Sequence, residues 1–100
     1  MKAYWVARSK IVDPKQYKKY TDLVPSIIKR YNGTILARGG DYEVLEGTKE
    51  FHRFVVIEFP SLEEGKKCWA SKEYQTASSY RKDGSGKVDL ILVKSGDKTD

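Results

Sequence analysis

Three charged residues stand inside segments that otherwise alternate like strands: Arg8, Arg38 and Glu58. A charge in such a place has to be paired or put to use, because burying it alone is expensive. One reading is a structural ion pair at a sheet end or a seam between subunits. The other is an arginine whose planar fork grips a carboxylate or phenolate ligand. Gly39 and Gly40 follow Arg38 directly. They mark a bulge that bends the strand, or a place where backbone closely approaches a ligand.

The remaining reactive side chains are few. His52 is the single histidine and Cys68 the single cysteine. One histidine excludes a multi-histidine metal site within one chain, and no carboxylate, His and Cys set has metal-ligand spacing. Neither a metal nor another cofactor is expected. His52 lies at the start of a strand, next to a turn, and reads as a surface or interface residue. Cys68 sits in a helical stretch beside Trp69 and reads as packing. Tyr4, Trp5, Tyr17, Tyr20, Tyr42, Trp69, Tyr74 and Tyr80 are core residues or the walls of a pocket for a flat organic ligand. Gly84-Ser85-Gly86-Lys87 lacks the spacer of a phosphate loop and leads into a strand, so it is discounted.

Elements that can position these residues follow from the spacing. Residues 3–12 alternate and predict a first strand. Asp13-Pro14-x-Gln16 opens a helix, and Tyr17, Tyr20, Val24, Ile27 or Ile28, and Tyr31 form its apolar stripe. Pro25 deletes the bond to the Thr21 carbonyl and should bend that helix. Asn32-Gly33 ends it. Residues 34–46 predict a long second strand interrupted at Gly39-Gly40, and 51–59 a third. Ser61-x-x-Glu64 caps a second helix with Leu62, Gly65 and Trp69 on one side. Ser71 begins a further helical piece from Glu73 to about Arg81, and 88–94 is the last strand.

The order β-α-β-β-α-β is a split βαβ, or ferredoxin-like, α+β arrangement. Right-handed crossovers put both helices on one face of a four-stranded antiparallel sheet in the order 4-1-3-2. In that order Glu58 falls near both Arg8 and Arg38. The other face is bare, yet Phe54 and Val56 oppose Val55 and Ile57, and Ile91 and Val93 oppose Leu90 and Leu92. A sheet apolar on both faces calls for a second layer. A second copy packed sheet to sheet is the economical answer, with His52, Phe54 and Val56 at the interface. The expected unit is residues 1–96, with a polar tail at 97–100.

Composition bounds the rest. The chain has 100 residues, a net charge of +5 and dispersed basic residues, which fits a soluble domain better than a nucleic-acid footprint. An RNA-binding module shares the βαββαβ order, but EFHRFVVIEF lacks the glycine and aromatic positions of its third-strand motif. No nucleic-acid partner and no membrane span are expected. The lone cysteine and the absence of a signal-peptide pattern point to the cytoplasm.

The segments YWVARSKIVDPKQYKKY, GTILARGGDYEVLEG, FVVIEFPSLEEGKKCW and SKEYQ, in this order, resemble a bacterial family of unknown function, DUF1330. Ser71-Lys72 stands where Ser-Pro is common in that family, which touches only a helix start. The resemblance implies a dimeric α/β barrel with a pocket between sheet and helices. It also implies fold-level kinship to cofactor-free monooxygenases, haem-degrading enzymes and isomerases. Trp5, Arg8, Arg38, Gly39, Glu58, Trp69 and Tyr74 are then the candidates to line the pocket for a small organic or anionic ligand. A non-catalytic dimeric scaffold or stress-associated protein is the alternative.

Overall fold

A computed structural model describes residues 1–98, so part of the tail expected at 97–100 lies outside the described residues. Its elements are β1 (Ala3–Ile11), α1 (Pro14–Arg30), β2 (Thr34–Arg38), β3 (Arg53–Phe59), α2 (Leu62–Ala70), α3 (Lys72–Ser79) and β4 (Gly86–Lys94). The strands form one antiparallel sheet in the order β2-β3-β1-β4, as the crossover rule requires. Just after β4, the Ser95 amide donates to the Lys2 carbonyl at 2.8 Å.

Alternation sets the core. Ala3, Trp5, Ala7 and Ser9 of β1 and Val55, Ile57 and Phe59 of β3 are buried on one face. Tyr17, Tyr20, Val24, Ile27 and Ile28 of α1 pack against them, with Cys68 of α2 and Tyr74 and Ala77 of α3. All three helices therefore cover the same face. Asp13 caps α1 by accepting from the Gln16 amide at 3.2 Å. The helix ends at Arg30 with Tyr31 as its C-cap, and Asn32 just beyond takes the left-handed φ of 63°.

The second strand is shorter than its sequence suggests. Pairing stops at Arg38, opposite Val55. Gly39 turns away with φ +68°, and β3 begins only at Arg53, so residues 41–50 have no strand beside them to pair with. The irregularity within β2 falls between Ile35 and Ala37, not at the glycines. That bulge changes the phase of the strand. Ile35 pairs with buried Ile57, and unbroken alternation would then send Arg38 to the bare face. The extra residue instead aligns Arg38 with buried Val55, on the helix side.

α2 also departs from expectation. Gly65 and Cys68 are its buried residues, and Trp69 is 45% exposed. Trp69 is one residue, about 100° of helix, beyond Cys68, and the close approach of α2 to Leu92 and Phe59 selects the small residue as the contact. A Cβ on Gly65 would lie 2.7 Å from a Leu92 methyl. Ser71 ends this helix and starts the next. Its hydroxyl donates to the Cys68 carbonyl at 2.7 Å and accepts from the Tyr74 amide at 3.1 Å.

Candidate functional site

The helix-facing side of the sheet and α1 enclose a cavity of about 20 Å³. Trp5, Ala7 and Ser9 form its floor with Val55 and Ile57, while Tyr17, Tyr20 and Val24 form its roof. Arg38 and Arg53 stand at one side. A space of this size admits about one water. It lies where a pocket between sheet and helices is expected, but a larger guest requires α1 to move.

Arg38 reaches this place through the β2 bulge. Its terminal nitrogen donates to the Thr21 carbonyl at 2.6 Å. Thr21 is the residue whose helical partner would be the amide of residue 25, which is proline. Arg38 therefore supplies the donor that Pro25 lacks, and it latches the β2 edge to the middle of α1.

A second polar cluster lies behind the cavity. The Tyr20 and Tyr74 hydroxyls are 2.7 Å apart. Arg81 donates to the Tyr74 hydroxyl at 3.2 Å, and its guanidinium carbon lies 4.9 Å from the centre of the Tyr20 ring. Arg81 is buried, pairs with no carboxylate among the described residues, and leaves its Nε without a partner. Burial, reinforced by Tyr20, pushes the Tyr74 hydroxyl well above the ordinary tyrosine range. Tyr74 also meets Trp5 edge to face at 5.1 Å. It thus supports the cavity wall from behind rather than lining it.

The other expected site residues divide between two faces. Trp5 and Arg38 line the cavity. Gly39 adjoins it, since a Cβ there would sit 3.7 Å from Arg53 Nε. Arg8 does not belong to it. It is on the bare face, bonded to Asp89 at 3.0 Å and stacked over Phe51 at 4.1 Å. Glu58 pairs with Lys2, and the expectation that it sits near both arginines is wrong. The register sets Glu58 opposite Tyr4 and Thr34. That is four residues, about 13 Å, along the strand from Arg8, and on the face opposite Arg38. Trp69 points into solvent and lines none of this.

His52 accepts the Ile11 amide at 3.1 Å through Nε2 and is exposed. Phe54 and Val56 lie half-buried on the bare face, with Phe54 packed on Tyr42 at 4.9 Å. Cys68 is fully buried, and burial pushes its thiol up to about 12. No group of three or more His, Cys, Asp or Glu among the described residues can hold a metal ion. No helix there is long and apolar enough to cross a membrane.

Two residues of interest escape the reading by type and spacing. Arg53 shares its face with Val55, Ile57 and Phe59, and counting by two from Val55 would have found it. Arg81 lies just past α3 on the buried stripe of Tyr74, Ala77 and Ser78, and carrying that helical spacing on to residue 81 would have found it.

Solved structures share this fold. A protein of unknown function from Rhodopseudomonas palustris superposes with a TM-score of 0.76 at 14% identity, over 96% of this chain and 83% of that one. A dimeric protein of unknown function and ferredoxin-like fold from Bacteroides fragilis gives 0.65 at 11%, over 93% and 95%. SnoaB, a cofactor-independent oxygenase from Streptomyces nogalater, gives 0.64 at 10%, over 97% and 95%. These identities speak for the fold alone, which is α+β and ferredoxin-like. No curated protein matches the chain. The model of DUF1330, a domain of unknown function, matches residues 2–95, and the chain belongs to that family.

Proposed function

We propose that the protein is a homodimer that binds a small organic molecule between sheet and α1. One observation carries this reading. The cavity has an aromatic and aliphatic lining, Trp5, Tyr17, Tyr20, Val24, Val55 and Ile57, with arginines confined to one side. Binding sites for small molecules share this make-up, an apolar wall with a few convergent polar groups. The cavity is closed to about one water, so binding is coupled to movement of α1 away from the Arg38 latch.

The dimer part rests on the other face. Val6, Ile91 and Val93 are exposed there beside Phe54 and Val56, and an open groove of about 730 Å³ runs between β1, β3 and β4. Arg8 is already paired with Asp89, and Lys2 with Glu58, which lowers the electrostatic penalty of covering the face. A second copy supplies the missing apolar layer, and the dimeric relative of the same fold supports that choice.

What chemistry the cavity can host is limited by its groups. Tyrosine, serine and threonine hydroxyls and guanidinium groups orient a ligand and stabilise an oxyanion. No carboxylate or imidazole lines it to act as a base. The cofactor-independent oxygenase of similar fold marks one class of reaction to assay. The test is protein-detected NMR of the full chain with small aromatic fragments. The reading expects shifts centred on the Trp5 indole, Tyr17, Val24 and Val55. Fragments that bind only on the bare face, or none that bind at millimolar concentration, would refute it.

A further inference from the structure

We propose that the ligand of this cavity is a small organic carboxylate, and that Arg53 is the residue that recognises it, with Arg38 beside it. The inference rests on the cavity being the binding site and goes further, to the charge of the occupant.

Arg53 opens β3 on its helix-facing row, opposite Ser9. Its side chain is half-buried and, among the described residues, makes no ion pair or hydrogen bond. Arg8, Lys2 and Lys87 have carboxylate partners in Asp89, Glu58 and Glu50, and Lys10 and Lys94, which have none among the described residues, are exposed to solvent where Arg53 is half-buried. Arg53 faces the same cavity as Arg38, with Gly39 against its Nε. The left-handed φ of Gly39 carries the chain off the strand at that point and keeps side-chain bulk away from the guanidinium.

The charge is therefore unbalanced. Two guanidinium groups converge on a cavity with no Asp or Glu in its lining. Arg53 is half-buried and Arg38 exposed, so solvent screens part of the repulsion between them, and an anion bound by both relieves the rest. Arg38 has only a neutral acceptor, the Thr21 carbonyl at 2.6 Å. A carboxylate is a stronger acceptor for a guanidinium than a carbonyl, and the two oxygens match the arginine fork.

The geometry gives an order of events. A carboxylate enters at the arginine side, takes the free fork of Arg53, and replaces the Thr21 carbonyl as the acceptor for Arg38. Losing that latch frees α1 around Pro25, so the apolar body of the ligand can enter between Trp5, Tyr20 and Val24. The absence of a base in the lining fits an occupant that arrives already ionised.

The two tryptophans make the test direct. Trp5 lines the cavity and Trp69 is exposed, so W69F leaves Trp5 as the sole reporter. Its emission is followed during titration with benzoate and with benzamide, a neutral analogue of similar shape, at constant ionic strength. The expected result is benzoate binding about ten-fold tighter than benzamide, which corresponds to one good charged hydrogen-bond set. R53Q should abolish that preference, R53K should recover part of it, and R8Q, on the other face, should leave it intact. Equal binding of benzoate and benzamide overturns the carboxylate assignment while leaving the cavity as a binding site. A preference that survives in R53Q removes Arg53 from the role. An effect reproduced by sodium chloride shows ionic strength alone and refutes the proposal. Failure of both compounds to perturb Trp5 at millimolar concentration rejects the binding site itself along with it.

Discussion

If Arg38 replaces the donor that Pro25 removed, the two residues must be energetically coupled, and a double-mutant cycle measures that coupling. Arg38 donates to the Thr21 carbonyl at 2.6 Å, and residue 25 is where the helix would otherwise supply the amide. A hydrogen bond from a charged group contributes about 1.5–3 kcal/mol. Arg38 is solvent-exposed, so water can partly replace it on the carbonyl, and the value falls to about 1 kcal/mol. R38M keeps the aliphatic stem and deletes only the donor. It should lower the melting temperature by about 4–8 °C for a chain of this length. In the P25A background the alanine amide completes the bond to Thr21, so R38M should cost close to nothing. P25A alone should stabilise, by up to about 3 kcal/mol less the strain already relieved by Arg38.

The assay is urea unfolding of the four proteins at one fixed protein concentration, since association shifts apparent stability. A coupling energy near 1 kcal/mol is the expected result. Equal losses from R38M in both backgrounds, agreeing within about 0.3 kcal/mol, would refute the substitution of guanidinium for amide. Arg38 would then act through packing or through its neighbour Arg53, and the account of how the β2 edge is latched to α1 would fall with it.

Three further predictions follow from the packing. Cys68 is buried with its thiol raised to about 12 from an ordinary 9.0. The unfolded chain therefore releases this proton first, and stability is full below pH 9 and falls as pH rises between about 9 and 12, by up to about 1.4 kcal/mol per unit. C68A should flatten that slope in urea unfolding at a series of pH values, and native Cys68 should resist thiol reagents at pH 8; rapid native labelling would contradict its burial. Y74F removes the acceptor of Arg81 and the partner of Tyr20, and should destabilise by about 1–3 kcal/mol, with a loss under 0.5 counting against that cluster. V56E places a charge amid the apolar residues of the bare face and should halve the mass found by sedimentation equilibrium. A parent protein that already sediments as a monomer would remove the sheet-to-sheet dimer.

Local chemistry wrote much of the fold. Asp13-Pro14 and Ser61-x-x-Glu64 set the helix starts because their side chains accept from amides only a few residues away. Alternation along β1 and β3 sorted Trp5, Val55 and Ile57 to one face because a strand has a period of two. The candidate site was legible in part for the same reason. Trp5 needed only the phase of β1, and Arg38 stood out as a charge inside a strand. Trp69 misled because a short helix with apolar residues at 62, 65, 68 and 69 has two possible stripes, and only contact with Leu92 and Phe59 selects the one through Gly65 and Cys68.

By itself, the sequence determined the order of elements, their caps, the sheet order and the presence of an apolar face that two helical segments cannot cover. All of these depend on residues close in the chain or on chirality. The tertiary structure alone decided which charges meet. A bulge at Leu36 turned Arg38 to the helix side, the β1–β3 register kept Glu58 about 13 Å from Arg8, and the meeting of β2 with α1 gave the Thr21 carbonyl its donor. One residue of register inverts the face of every side chain beyond it. The arginines that were visible as candidates could therefore be assigned to the cavity or to the bare sheet only once the strands were paired.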